Sequence, residues 1–332
     1  MALTQAPAKR LFDRLTSGRR LRLYVWLSLA TQILIVVTGG LVRLTGSGLG
    51  CPTWPKCTDE SLISTPEMGI HGLIEFGNRL LTIVLLVIAL LTFITVLRPH
   101  PGKRELTKIT IAFFAFVALF IAGLVFATSA IDSLSISILA AASLGMLLTA
   151  ATFVFAARKY ETKGLAIPAF GLGFGIILQA VVGGITVLTQ LNSWIVGLHF
   201  LISSVLIALA SLLVFRALPK PLQEVSQVSS ALRWPTVAVS AITILIGVLV
   251  TGAGPHAGDA TTPRNGLNLE IWQHYHSYPG YLMLGLVFLQ WFSQWRHSSS
   301  VFGKLPSRLL SIFLLVTAAQ AVIGIAQARL GV

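Results

Sequence analysis

Charge is what this sequence has least of. Asp, Glu, Lys and Arg make up only 11% of its 332 residues, with 11 acidic residues against 24 basic ones. Soluble globular domains carry roughly 25% charged residues, so that class is excluded, and a mean hydropathy of +0.84 points to lipid. Cysteine is nearly absent: Cys51 and Cys57 are the whole supply, too few for a four-cysteine zinc or iron–sulfur site. No GxxxxGK[ST] occurs, so no phosphate loop is encoded. No small-residue cleavage site follows the first apolar run, which is therefore expected to be a retained span.

What is abundant is long apolar sequence. A membrane helix needs about 20 apolar residues, and nine runs qualify: 22–43, 70–97, 108–128, 132–157, 165–189, 194–216, 234–253, 271–294 and 309–328. The expected fold is an all-α polytopic bundle of about nine transmembrane helices. The net charge of +13 is not a nucleic-acid footprint. Lys9 to Arg22, Arg98 to Lys108, Arg158 to Lys163, Arg216 to Arg233 and Arg296 to Arg308 fall in every second loop. By the positive-inside rule that face is cytoplasmic. The chain is expected to be a multi-pass protein of the bacterial cell membrane, lipid its first partner, with a cytoplasmic basic segment over 1–21 including the N-terminus.

That topology puts Cys51 and Cys57 outside, where disulfides persist. The C-x5-C spacing around Pro52 and Pro55 permits a bridge across a compact turn. It suits a structural staple, with a reversible thiol pair as the other reading. Beyond the loop, His71, Glu75 and Asn78 recur at i, i+4 and i+7 and share one helix face. Arg79 follows Glu75 by four residues, the spacing of an intrahelical ion pair. Such a pair can simply neutralise itself. A buried carboxylate can also move protons, and ionisable groups inside a span mark function by default.

Of seven histidines, His100 and His297 lie in basic loops and His256 in a loop on the cysteine side. His71, His199, His274 and His276 stand near the same ends of their helices. Each could be a packing residue. Their common depth instead suits haem iron, which takes axial imidazoles from facing helices.

The chain also repeats itself. QAVVGGITVL at 179–188 returns as QAVIGIAQAR at 320–329, and GGLVRLTGSG at 39–48 returns as IGVLVTGAG at 246–254. Two pseudo-symmetric halves are expected, 22–216 and 234–332, joined by a cytoplasmic linker over 217–233. The pair of runs over 108–157 has no counterpart in the second half and is expected to serve packing or face lipid. The second half is expected to lack a fourth helix equivalent to the one bearing His199.

VTGGLVRLTGSGLGCPTWPKC, IHGLIEFGNRLLT, ILQAVVGGITVLTQLNSWIVGLHF, LVTGAGPHAGDA and QAVIGIAQ together resemble the haem A synthase family in its actinobacterial-type branch. The resemblance spans nearly all of the chain outside 105–160. It implies an oxidoreductase that converts the C8 methyl of haem O to the formyl of haem A, with oxygen from water and hydroxylated intermediates. One half would bind haem O and the other a resident haem b. Glu75 then matches the essential glutamate, Cys51 and Cys57 the disulfide pair, and His199 a substrate-half histidine. His276 matches a haem b ligand, with His274 as fallback. Asn78 stands where many members have histidine, and His71 is expected to substitute for it. Arg79 is expected to hold a propionate. The metal ligands expected are thus His71, His199 and His276. Haem O, haem A, haem O synthase, cytochrome oxidase assembly factors and a second copy of the chain are the implied partners. The alternative is a non-catalytic haem-binding or b-type electron-transfer membrane protein. A repeat-built transporter fits less well, because the polar groups gather at the helix ends and not at mid-membrane; a quinone-linked thiol oxidoreductase using Cys51 and Cys57 is a further alternative.

Overall fold

The computed structural model describes residues 12–129, 133–160, 164–218, 224–255, 258–259, 262–297 and 304–330. Among them the long elements are all helices: α1 Leu21–Leu44, α2 Gly69–Leu97, α3 Lys103–Ser129, α4 Ser133–Lys159, α5 Ala166–Leu188, α6 Ser193–Ala217, α7 Gln227–Ala253, α8 Leu269–His297 and α9 Lys304–Leu330. His256 and Asp132 lie outside the described residues.

Eight of these helices are long and apolar enough to cross a membrane. Nine long helices thus occur among the described residues, one for each expected run, and one of them falls short in hydropathy. The exception is α8, whose Gln273, His274, His276, Gln290 and Gln294 dilute its apolar stretch. Several helices also begin earlier than the apolar runs suggest. α7 starts at Gln227, with Ser226 as N-cap accepting the Ser229 N–H, and runs through Pro235. Hydropathy marks only the apolar part of a helix, whereas backbone bonding continues into the charged flanks.

The chain separates into two compact units. The first comprises Met1–Ile33, Thr82–Leu178 and Leu206–Leu218. Its core is aromatic: Phe93, Phe113, Phe153 and Phe170 are all buried, and the Phe153 and Phe170 rings stack at 4.1 Å. Phe113 on α3 and Phe153 on α4 thus give the extra helix pair a packing role. Ser28 and Thr92 join α1 to α2 through their hydroxyls at 3.1 Å.

The second unit comprises Leu34–Leu81, Gln179–Val205 and Pro219–Val332. Within it α8 packs on both α7 and α9. Buried amides knit α7 to α8: Gln294 accepts the Ser226 N–H at 2.9 Å and donates to the Glu224 carbonyl at 2.9 Å. Trp291 donates to Ser311 on α9 at 2.9 Å. The amides of Gln290 and Gln294 in α8 are thus met by α7 and the residues just before it, which makes them tolerable in lipid. Cys51, Cys57, His71, Glu75, Asn78, Arg79, His199, His274 and His276 all fall in this second unit.

Candidate functional site

The site begins with the loop between α1 and α2. Cys51 and Cys57 form a disulfide and both are fully buried. The loop is held down by α2. Glu75, 5% exposed, accepts the Cys51 N–H on Oε2 at 2.5 Å. Its Oε1 accepts from Arg79 Nε at 3.1 Å and Nη2 at 2.6 Å. Arg79 then donates to the carbonyls of Cys51 at 2.8 Å, Thr53 at 3.1 Å and Lys56 at 3.1 Å. All five guanidinium N–H groups are therefore spent inside the protein. In this arrangement the guanidinium clamps the cysteine loop and has no N–H left over for the propionate expected of it. Glu75 is only partly filled, because a carboxylate offers about four acceptor sites and three donors reach it.

The loop also leans on α5. A Cβ on Gly184 would meet Trp54 Cε2 at 2.5 Å, so only glycine lets the indole lie there. A Cβ on Gly50 would collide with the His71 carbonyl, so the same loop passes directly over the first turn of α2.

The histidines occupy different settings. His71 is exposed, and its Nδ1 lies 2.8 Å from the Ser47 hydroxyl, which pairs with Thr45 at 2.7 Å. Asn78 accepts from Thr38 on α1 at 2.7 Å. His199 is half-buried, with an Nδ1 that is buried and has no partner. Its ring lies on Gly183, where a Cβ would meet Cε1 at 3.2 Å. His276 repeats this arrangement on another pair of helices. Its Nδ1 is likewise buried and unpaired, and a Cβ on Gly247 would meet Cε1 at 2.8 Å. The Thr243 backbone is its nearby polar neighbour. His274 is exposed, and only its carbonyl is engaged, by Ser277 at 2.8 Å.

Among the described residues no three His, Cys, Asp or Glu side chains gather to chelate a single ion. Haem asks less, one or two axial imidazoles. His199 and His276 fit that group: each ring is held in a glycine cradle, His199 with an Nδ1 awaiting an acceptor and His276 with the Thr243 backbone beside it. Sequence reasoning missed Ser47, Trp54, Gln179 and Gly247. A glutamine inside an apolar run was a readable signal for Gln179; the others carry none.

Residues 22–125 match the family of cytochrome oxidase assembly proteins, COX15-CtaA. That stretch takes in α1, the cysteine loop, α2 and most of α3. The Heme A synthase of Lysinibacillus sphaericus (strain C3-41) is 35% identical over 78 residues, 23% of this chain and 24% of that protein. The Heme A synthase of Bacillus pumilus (strain SAFR-032) is 32% identical over 152 residues, 43% of this chain and 48% of that protein. That of Exiguobacterium sibiricum is 29% identical over 179 residues, 50% of this chain and 57% of that protein. The chain thus spans between about a quarter and somewhat over half of these curated relatives. A Protoheme IX farnesyltransferase of Thermus thermophilus is 36% identical over 83 residues, 25% of this chain and 13% of that protein. No solved structure matches. Each match covers only part of the chain: the family model residues 22–125, and these relatives at most half of it.

Proposed function

We propose that this chain is a membrane oxidoreductase of the haem A synthase type, taking haem O as substrate and oxidising its C8 methyl to the formyl of haem A. The observation that carries the reading is the pair of glycine-cradled imidazoles, His199 and His276, each on its own helix with a buried, unpaired Nδ1. His199 and His71 hold the substrate haem, and His276, better enclosed than His274, holds haem b. When bound, haem b supplies a one-electron redox centre. Converting a methyl to a formyl with water releases four protons and four electrons; the electrons would leave one at a time, by way of haem b, to an external electron acceptor, and the protons require an acceptor at the site. Glu75 is that acceptor, through the one acceptor position its three donors leave open. The disulfide, Arg79 and Trp54 fix the loop that carries the Cys51 N–H to Glu75. The distribution of the basic loops supports a cytoplasmic N-terminus and a cysteine loop on the oxidising side of the cell membrane. The halves 22–216 and 234–332 act as substrate and haem b halves, and haem O synthase, assembly factors or a second copy are the fitting partners.

A second reading, a non-catalytic haem-binding or electron-transfer protein, is favoured by the way Glu75 and Arg79 spend most of their bonds holding the loop. Co-expression with a haem O source, followed by extraction and separation of haem O, its hydroxylated form and haem A, decides between them. Haem A is expected from the parent chain and lost in Glu75→Gln, while haem O stays bound. A haem spectrum without any altered haem O supports the second reading. Undiminished haem A from Glu75→Gln removes the role of Glu75.

A further inference from the structure

The segment QAVVGG places a glutamine one turn before the glycine on which the His199 ring lies. Gln179 is 9% exposed. Its Nε2 donates to the His199 carbonyl at 2.8 Å and to Ser203 Oγ at 2.5 Å. The direction of this amide is fixed by chemistry. The His199 carbonyl can only accept, and Ser203 already directs its hydroxyl hydrogen to that same carbonyl at 3.1 Å. Turning the amide over would set oxygen against oxygen. Gln179 Oε1 therefore points away from both, and it is buried without a partner. His199 Nδ1 is the other orphan on this face.

The two orphans are complementary. An imidazole that gives Nε2 to iron is neutral and carries its proton on Nδ1, where it needs an acceptor to fix tautomer and ring angle. Gln179 and Gly183 are four residues apart, so the glutamine and the glycine on which the ring lies follow one another on one face of α5. The two orphans are not bonded to each other in this arrangement, so a bridging water or a turn of the amide is what joins them. The other copy of the motif is different: Gln320 is exposed and Gly324 meets nothing within 4 Å. The burial of Gln179 thus comes from α6 lying against it.

We infer that Gln179 is the positioning residue of His199. Its Nε2 clamps the His199 backbone, and its Oε1 accepts the ring Nδ1–H, directly or across one water, leaving Nε2 to the haem iron. This rests on the haem reading above. The test titrates ferric protohaem into the full chain in detergent and follows the Soret band and the reduction potential of the bound haem. The signal lost in His199→Ala defines the site. Gln179→Leu is expected to weaken protohaem binding there about 10- to 100-fold and to move the potential upward, because an imidazole without an acceptor is a poorer donor to iron. Ser203→Ala, which leaves Oε1 in place, is expected to keep both within about twofold. Gln179→Glu supplies a stronger acceptor and is expected to move the potential downward, and it serves equally if Gln179→Leu does not fold. An unmoved potential in the position-179 variants, or a shift in Ser203→Ala equal to that of Gln179→Leu, overturns the assignment while the haem reading stands. A Soret signal indifferent to His199→Ala overturns the haem reading itself.

Discussion

Replacing Arg79 by methionine keeps the length and apolar stem of the side chain and removes the five N–H groups that hold the cysteine loop. Two of them face Glu75 Oε1 and three face the carbonyls of Cys51, Thr53 and Lys56. The largest loss is at Glu75, left as a 5% exposed carboxylate without its counter-charge. Removing one partner of a buried pair costs about 3–5 kcal/mol. Lys56 is exposed and Thr53 partly so, so their carbonyls regain water and add little. Since about 1.4 kcal/mol is a factor of ten, opening of the loop should become roughly two to three and a half orders of magnitude more frequent. Hydrogen–deuterium exchange of the Cys51 and Cys57 amides, which donate to Glu75 and to the Ser61 carbonyl, measures this directly. Arg79→Lys keeps the charge but has a single three-donor head, and its exchange should fall between the two. The double variant Glu75→Leu, Arg79→Leu removes both charges and should recover part of the loss. Exchange in Arg79→Met within about threefold of the parent would refute the clamp, and with it the reason given for withholding Arg79 from a ligand.

Cys57→Ser opens a ring of sequence separation 6. Chain entropy for so short a loop gives about 2 kcal/mol, so its amide exchange should rise less than in Arg79→Met; a larger rise would make the disulfide the principal anchor. Gly183→Ala sets a methyl 3.2 Å from His199 Cε1. It should disturb the haem spectrum with little change in unfolding temperature, whereas Gly173→Ala, which meets nothing within 4 Å, should leave the spectrum alone. Phe153→Ala removes a fully buried ring stacked on Phe170 and should cost about 3–5 kcal/mol in denaturant unfolding, with bound haem spectra unaltered once folded.

The apolar runs made the bundle legible because lipid leaves a spanning chain few options besides the helix. They misjudged it where polarity and helix formation part company. Lys103, Gln227 and Lys304 open helices although none is apolar, and α8 is helical throughout while falling short in hydropathy. The spacing of His71, Glu75 and Asn78 along one face, and of Arg79 one turn after Glu75, was legible because helical periodicity is local information. The loop clamp was not, since Arg79 binds carbonyls, and every residue has one. Gly183 and Gly184 could be read as close-packing positions, but not that one admits an imidazole and the other an indole. Those pairings join segments remote in sequence, and only the fold supplies them.

The polarity of α8 bears on how the protein is made. A segment this rich in amides and imidazoles partitions poorly from the translocon on its own merits. The side chains of Gln290 and Gln294 find their partners in the backbone and hydroxyls of α7 and the residues just before it, so the entry of α8 into the bilayer is expected to depend on α7 being there to receive it. Weakening Gln294 or Ser226 would then surface first as a fault of biogenesis, a chain with one hairpin stranded in water, before any defect in a finished molecule.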